Sequence, residues 1–124
     1  MTCARIVTPS QRPAPNRVAG FDIQALISGD EALPFEASYA SGNNGTAGPA
    51  PHCHPWDETF FVIRGPVVFG VGDQQQPIEG GTLLHVAGGE RQCWRFEVEG
   101  EFLSITSGRQ AAATASRHGR AEHA

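Results

Sequence analysis

The chain has 124 residues, enough for one domain, and a formal charge of −4 at neutral pH, with nine arginines and no lysine. An acidic chain without a basic cluster is not expected to bind nucleic acid, and the absence of lysine excludes Schiff-base chemistry and attachment of pyridoxal phosphate. No apolar run is long enough to span a membrane, no N-terminal signal segment is evident, and Cys3, Cys53 and Cys93 have unrelated spacings, so we expect a cytoplasmic protein with free thiols.

Short apolar runs separated by turn residues make up most of the chain. Residues 1–19 contain three prolines and predict an extended arm, either loose or docked on a partner subunit. The predicted strands are 21–27, 35–40, 59–63, 67–71, 82–86, 93–98 and 102–105. No window carries a helical stripe, and residues 108–124 predict a flexible tail. This spacing predicts an all-β sandwich or barrel over residues 20–107, with a jelly roll as the natural closure.

The segment His-Cys-His-Pro-Trp-Asp-Glu at residues 52–58 is the most informative stretch. Alternate side chains of an extended strand share a face, so His52 and His54 point the same way and Cys53 points the other way. The turn after His54 can bring Glu58 round at the head of the next strand. Two imidazoles and one carboxylate are typical of non-haem Fe(II) sites, and Mn, Co, Ni and Zn accept the same donors. A His-x-His pair alone is common on surfaces, but with Glu58 and the apolar run after it the pattern favours a metal site.

The pattern His-x-His, three residues, Glu, six residues, Gly resembles the first motif of the cupin superfamily, and the match from His52 to Gly65 is complete. The glycine usually found six positions before the first histidine is Thr46 here. A second and degraded motif resembles residues 81–92, where Gln92 replaces the usual fourth-ligand histidine. Its amide oxygen can contact a metal or a substrate, but it is a weaker donor than imidazole and is not a base at neutral pH.

The resemblance covers about residues 20–107 and implies a double-stranded β-helix, the jelly-roll barrel of cupins. It also implies one divalent metal ion (Fe, Mn, Ni or Zn) held by His52, His54 and Glu58, with Gln92 as a fourth donor or an orienting amide. A small-molecule substrate and a homodimer are the partners that it implies, and the arm before residue 21 can supply a strand to the second subunit.

Three functions fit these residues. The first is a metal-dependent enzyme, of dioxygenase or isomerase/cyclase type, acting on a small organic molecule. The second is a non-catalytic binding protein or sensor, favoured by the loss of histidine at position 92. The third is a metal-free isomerase that uses the histidines as acid and base, which the intact Glu58 disfavours.

Four further side chains are candidates for the substrate pocket, and each has a plainer alternative. Trp56 can form a pocket wall or pack in the core or a subunit interface. His85 can face the pocket or be a half-buried histidine that is hydrogen-bonded to a neighbour. Arg91 can clamp a substrate carboxylate or lie on a solvated strand face. Tyr39 is a possible hydrogen-bond donor or acid.

Overall fold

The structure of the protein, a computed structural model, describes residues 4–18, 20–31 and 33–107, so the predicted tail and Cys3 lie outside the described residues. The described part holds a 3₁₀ turn at Pro9–Gln11 and ten strands. The strands are β1 Asn16–Val18, β2 Phe21–Ile27, β3 Phe35–Gly42, β4 Thr46–Ala47, β5 Glu58–Arg64, β6 Val67–Val71, β7 Gln74–Ile78, β8 Thr82–Val86, β9 Gln92–Phe96 and β10 Gly100–Ser107.

The strands form two antiparallel sheets that enclose one core. The larger sheet has the order β1-β2-β3-β10-β5-β8 and the smaller one has the order β4-β9-β6-β7. This arrangement confirms the predicted all-β jelly-roll class. In the part of the chain that the structure describes, no helix is long and apolar enough to cross a membrane.

Aromatic side chains from both sheets fill the core. The rings of Phe60 and Phe69 lie 4.9 Å apart, those of Phe69 and Phe102 lie 5.5 Å apart, and Phe96 stacks on Phe102 at 6.0 Å. Each of these rings is almost fully buried, and such burial contributes about 1.5–3 kcal/mol per side chain. The aromatic contacts therefore hold the two sheets together.

The inner face of the larger sheet changes from apolar to polar along its strands. Phe102 on β10 lies opposite Ala40 on β3 and Val62 on β5, which gives an apolar row. The next row contains Ser38, Ser104 and Phe60, and the row after it contains Glu36, Thr106 and Glu58. One end of the barrel is therefore lined by hydroxyl and carboxyl groups above an aromatic floor.

The N-terminal arm is partly paired with its own chain. Strand β1 runs antiparallel to β2, and the Gln24 side-chain amide donates a hydrogen bond to the Pro13 carbonyl at 2.8 Å. Arg5 forms a salt bridge of 2.7 Å with Glu31. We expected that the arm could supply a strand to a partner subunit. In this structure its strand β1 pairs within its own chain, at the edge of the larger sheet.

Candidate functional site

His52 is fixed by backbone pairing to the first residue of β9. The His52 N–H donates to the Gln92 carbonyl at 3.0 Å, and the Gln92 N–H donates to the His52 carbonyl at 2.7 Å. The His52 ring places Nδ1 2.9 Å from the Ala50 carbonyl. Because a carbonyl can only accept, this contact puts the proton of the neutral ring on Nδ1 and leaves the Nε2 lone pair available. Metal-binding histidines commonly have this second contact to a backbone carbonyl.

Glu58 and Gln92 are the only buried polar or charged residues of the described part of the chain. The Gln92 amide nitrogen donates to Glu58 Oε1 at 2.7 Å, and the Ser104 hydroxyl donates to Glu58 Oε2. The other end of the amide, Gln92 Oε1, is buried without a hydrogen-bond partner among the described residues. A buried polar atom of this kind is costly unless it gains a partner, so the geometry leaves an acceptor for a cation or a donor.

His54 joins this pair from the loop before β5. Its Nε2 atom lies 3.8 Å from Glu58 Oε1, and its ring lies 4.8 Å from the His52 ring. His54 also contacts Trp56. The centres of the two rings lie 4.6 Å apart and their planes are 8° apart, so the indole stacks on the imidazole. Stacking restricts the orientation of the imidazole, so the loop presents His54 in a defined position beside the carboxylate.

The structure brings the four predicted metal donors, His52, His54, Glu58 and Gln92, close to one another. It does not place their side chains at the positions of a formed metal site. Within residues 4–18, 20–31 and 33–107, no group of three or more acidic, histidine or cysteine side chains is placed to hold a metal ion. The donors themselves suit a divalent ion of the first transition row, because His52 Nε2, the Glu58 carboxylate and the unpartnered Gln92 oxygen are all acceptors. The kinds of donor therefore suit the ion that the resemblance implies, whereas their positions in the described structure do not form a site for it.

A cavity of about 180 Å³ opens beside these donors at the polar end of the barrel. Its lining consists of two carboxyls, three hydroxyls, one imidazole and two apolar or aromatic side chains: Glu36, Glu58, Ser38, Ser104, Thr106, His54, Ile23 and Trp56. Burial raises the pKa of the Glu36 carboxyl, and the negative charge of Asp30 raises it further. Glu36 is therefore a group that can hold a proton at the cavity surface.

Of the four predicted pocket residues, Trp56 lines this cavity and three others lie elsewhere. Tyr39 donates to Glu101, has the Arg12 guanidinium 4.2 Å from its ring centre, and has a pKa raised by burial and by Glu101. His85 is exposed, with Nδ1 2.8 Å from Thr59 Oγ1 and Nε2 3.1 Å from Asp57 Oδ2.

Arg91 is exposed and lines a different depression, of about 220 Å³, whose lining includes neither His54 nor Glu58. A carboxylate clamp at Arg91 would therefore act outside the cavity lined by His54 and Glu58, in a depression that Gln92 also lines. Cys53 and Cys93 are free thiols and neither lines that cavity.

Sequence reasoning missed Glu36, Ser38, Ser104 and Thr106 as cavity residues. A signal for them was present, because Glu36 and Ser38 have the same parity along β3 as the buried Ala40, and Ser104 and Thr106 match Phe102 in the same way. Alternate residues of a strand share a face, so polar residues that alternate with core residues indicate a pocket lining at the end of the core.

The comparisons with known proteins agree with this architecture. The cupin domain family matches residues 42–109, more than half of the chain, and the protein therefore belongs to the cupin family. This assignment confirms the resemblance carried by residues 52–65. A search of curated protein sequences found no match.

Several solved structures share the fold. An RmlC-like cupin from Shewanella frigidimarina has a TM-score of 0.71 and 15% identity, over 85% of this chain and 91% of that one. The polyketide cyclase RemF from Streptomyces resistomycificus has a TM-score of 0.74 and 15% identity, over 84% and 79% of the two chains. A predicted oxalate decarboxylase from Thermotoga maritima has a TM-score of 0.73 and 18% identity, over 83% and 98%. At these identities the likeness concerns the fold alone.

Proposed function

We propose that this cupin is an enzyme that binds one divalent metal ion through His52, His54 and Glu58 and acts on a small organic molecule in the adjoining cavity. The observation that carries the proposal is the burial of Glu58 and Gln92, with Gln92 Oε1 lacking a hydrogen-bond partner among the described residues. Gln92 is proposed as the fourth and weakest donor. Burying two polar side chains beside an aromatic core costs free energy, and binding a cation would offset this cost.

A divalent ion bound here would supply Lewis-acid polarisation or activation of dioxygen. The chain's own residues orient this centre, because Ser104 holds one oxygen of Glu58 and Trp56 stacks on His54. Glu36, on the same cavity wall, can donate a proton to a bound ligand or accept one from it at its carboxyl oxygens.

Two reaction types fit a cupin of this kind. The first is that of a dioxygenase, and the second is that of an isomerase or cyclase. Glu36 favours the second type, because an isomerase or cyclase needs a group that transfers protons, and this carboxyl has a raised pKa in the cavity. The fold is shared with a polyketide cyclase and with a predicted oxalate decarboxylase, and a shared fold does not choose between these reactions.

A non-catalytic binding protein or sensor is the second candidate. The observation that favours it is the hydrogen bond from the Gln92 amide nitrogen to Glu58, which engages the carboxylate that a metal would need. In this function the cavity binds a small molecule without turnover.

Metal analysis of tag-free protein distinguishes these functions. We expect about one divalent ion per chain after reconstitution in wild type and in His85→Ala, which removes an exposed histidine outside the cavity. The double variant His52→Ala/His54→Ala should bind none. If wild type binds no metal after reconstitution with Fe, Mn, Ni, Co or Zn, the enzyme proposal is wrong and the binding protein is favoured.

We also infer that the protein forms a homodimer in which a second copy covers the outer face of the larger sheet. Four neighbouring strands carry Tyr39, Leu103, Phe61 and Leu83 in register on this face, and Arg12 covers the Tyr39 ring at one end of the row. Leu83 is 63% exposed and Phe61 is 38% exposed. A contiguous apolar row of this kind favours association with another protein surface.

A further inference from the structure

The cavity beside the candidate metal donors is acidic, and this restricts what can bind in it. Glu36 and Glu58 lie in one row on either side of Thr106, with neighbouring strands about 5 Å apart. The described residues that line the cavity include no arginine, and the chain has no lysine. Among the described residues of the lining, His54 is the only one that can carry a positive charge.

We propose that the ligand of this cavity is an uncharged or cationic molecule that bears hydroxyl or amino groups, and that Glu36 is the residue that excludes carboxylates. This inference deepens the proposed function, since it concerns the same cavity. A carboxylate ligand would place its charge near Glu36 without an arginine fork or an ammonium group to balance it. Like charges brought together in a site of this kind oppose binding strongly.

The rest of the lining suits a neutral polar ligand. Ser38 and Thr106 have hydroxyls that both donate and accept hydrogen bonds, whereas an ionised carboxyl at Glu36 accepts from a ligand hydroxyl or amine. Trp56 adds an aromatic surface to this lining. These groups recognise hydroxyl, amide or amine functions.

The cavity has room for about one ring. A protein cavity of about 150 Å³ holds one benzene molecule, and this cavity has about 180 Å³. The apolar side of the lining, Ile23 and Trp56, can contact the flat face or edge of such a ring. A single-ring phenol, cyclic polyol or aromatic amine therefore fits both the size and the charge of the site.

Benzamide and benzoate are suitable probes because they have the same ring and nearly the same shape but differ in charge. Their dissociation constants are measured by NMR titration of the full-length protein at pH 8, in metal-reconstituted and in EDTA-treated samples. In the EDTA-treated protein we expect benzamide to bind at least about tenfold more tightly than benzoate, with shifts at the Trp56 indole. Glu36→Gln should remove most of this difference, and Glu36→Arg should reverse it.

Glu79→Gln is the matched control, because it removes one negative charge from an exposed position outside the cavity lining. It should leave the preference for benzamide unchanged. Benzoate binding as tightly as benzamide in EDTA-treated wild type overturns the proposal, as does a preference that Glu36→Gln leaves intact, or a failure of both probes to shift the cavity resonances. Failure of the metal site would appear separately, as selective binding of benzamide by a protein that takes up no metal.

Discussion

Glu58 is a buried carboxylate that receives hydrogen bonds on both of its oxygens. Gln92 and Ser104 donate these bonds, and His54 lies within 3.8 Å on the same side as Gln92. An ionised carboxylate that is buried requires such partners, because their donors replace the water that burial removes. Gln92 therefore orients Glu58 through its nitrogen while its oxygen remains available.

The variant Gln92→His tests whether the residue 92 side chain contacts the metal. Imidazole is a stronger donor than an amide oxygen for divalent ions of the first transition row, so we expect metal affinity to rise by about tenfold or more. Competition with a chelator measures the affinity. Gln76→His, which adds an imidazole at an exposed position of β7, should leave affinity unchanged. An unaltered affinity in Gln92→His would mean that residue 92 does not bind the metal.

At the scale of elements, the loop that carries His54 is held by the turn between β8 and β9. The Gly89 N–H donates to the His54 carbonyl at 2.6 Å, and the Gly88 N–H donates to Asp57 Oδ1 at 2.8 Å. A Cβ atom at Gly88 would lie 2.5 Å from the Pro55 carbonyl oxygen, so this approach requires glycine. The turn thus fixes the loop in front of β5, where the candidate donors lie.

Asp57→Asn tests the contribution of this contact between loop and turn. The Gly88 N–H, and to a lesser extent His85, lowers the pKa of Asp57. A carboxyl with a lowered pKa stabilises the fold above its unfolded pKa, about 3.9 for aspartate, and loses this contribution as the pH falls through its folded pKa. We expect Asp57→Asn to lower the melting temperature at pH 7, and the difference from wild type to shrink below about pH 4.

Thermal melts of EDTA-treated protein between pH 2.5 and 8 measure this dependence without interference from metal binding. Asp73→Asn, an exposed aspartate in the β6–β7 turn, is the control and should not reproduce the acid dependence. A difference between Asp57→Asn and wild type that stays constant from pH 7 to pH 3 would contradict the assigned role of the charge.

The strands that the sequence predicts well are those with continuous or alternating apolar residues. Strands β6 and β8 have the predicted bounds, because 67–71 and 82–86 are apolar runs between turn residues. Strand β7 was not predicted, since its sequence Gln-Gln-Gln-Pro-Ile has four exposed positions and a proline. It exists because it pairs with β6 at the edge of the smaller sheet, where a proline is tolerated. The local sequence of β7 does not indicate this pairing with β6, so the strand could not be predicted from it.

At the scale of the whole molecule, the sequence predicted the barrel better than the cavity, and the metal-binding role of the four candidate donors stays a prediction. The motif at residues 52–58 is contiguous, so spacing alone brings its side chains to one loop and one strand. The cavity wall is assembled from β3, β5 and β10, which are separated in sequence by up to about seventy residues and meet only through sheet pairing. The register of those strands decides which carboxyl faces Glu58, and turn spacing does not specify that register.

The prediction about assembly concerns the outer face of the larger sheet. A stable interface buries about 800 Å² on each partner, and the apolar side chains of this row on β10, β5 and β8 would lie within such an area. Leu83→Glu would place an unpaired charge in that row at its most exposed member, so we expect the dimer dissociation constant to rise by about a hundredfold or more. Analytical ultracentrifugation across a concentration series measures this change.

Val98→Glu controls for the added charge, since Val98 is 41% exposed and lies between β9 and β10, outside the row formed by β3, β10, β5 and β8. It should sediment like wild type. Because Leu83 is 63% exposed in the single chain, Leu83→Glu should form a folded monomer rather than unfold, and a melt of the diluted protein checks this. If wild type is itself monomeric at the highest concentrations, a second copy does not cover this face. If Leu83→Glu remains dimeric, the two copies meet through another surface.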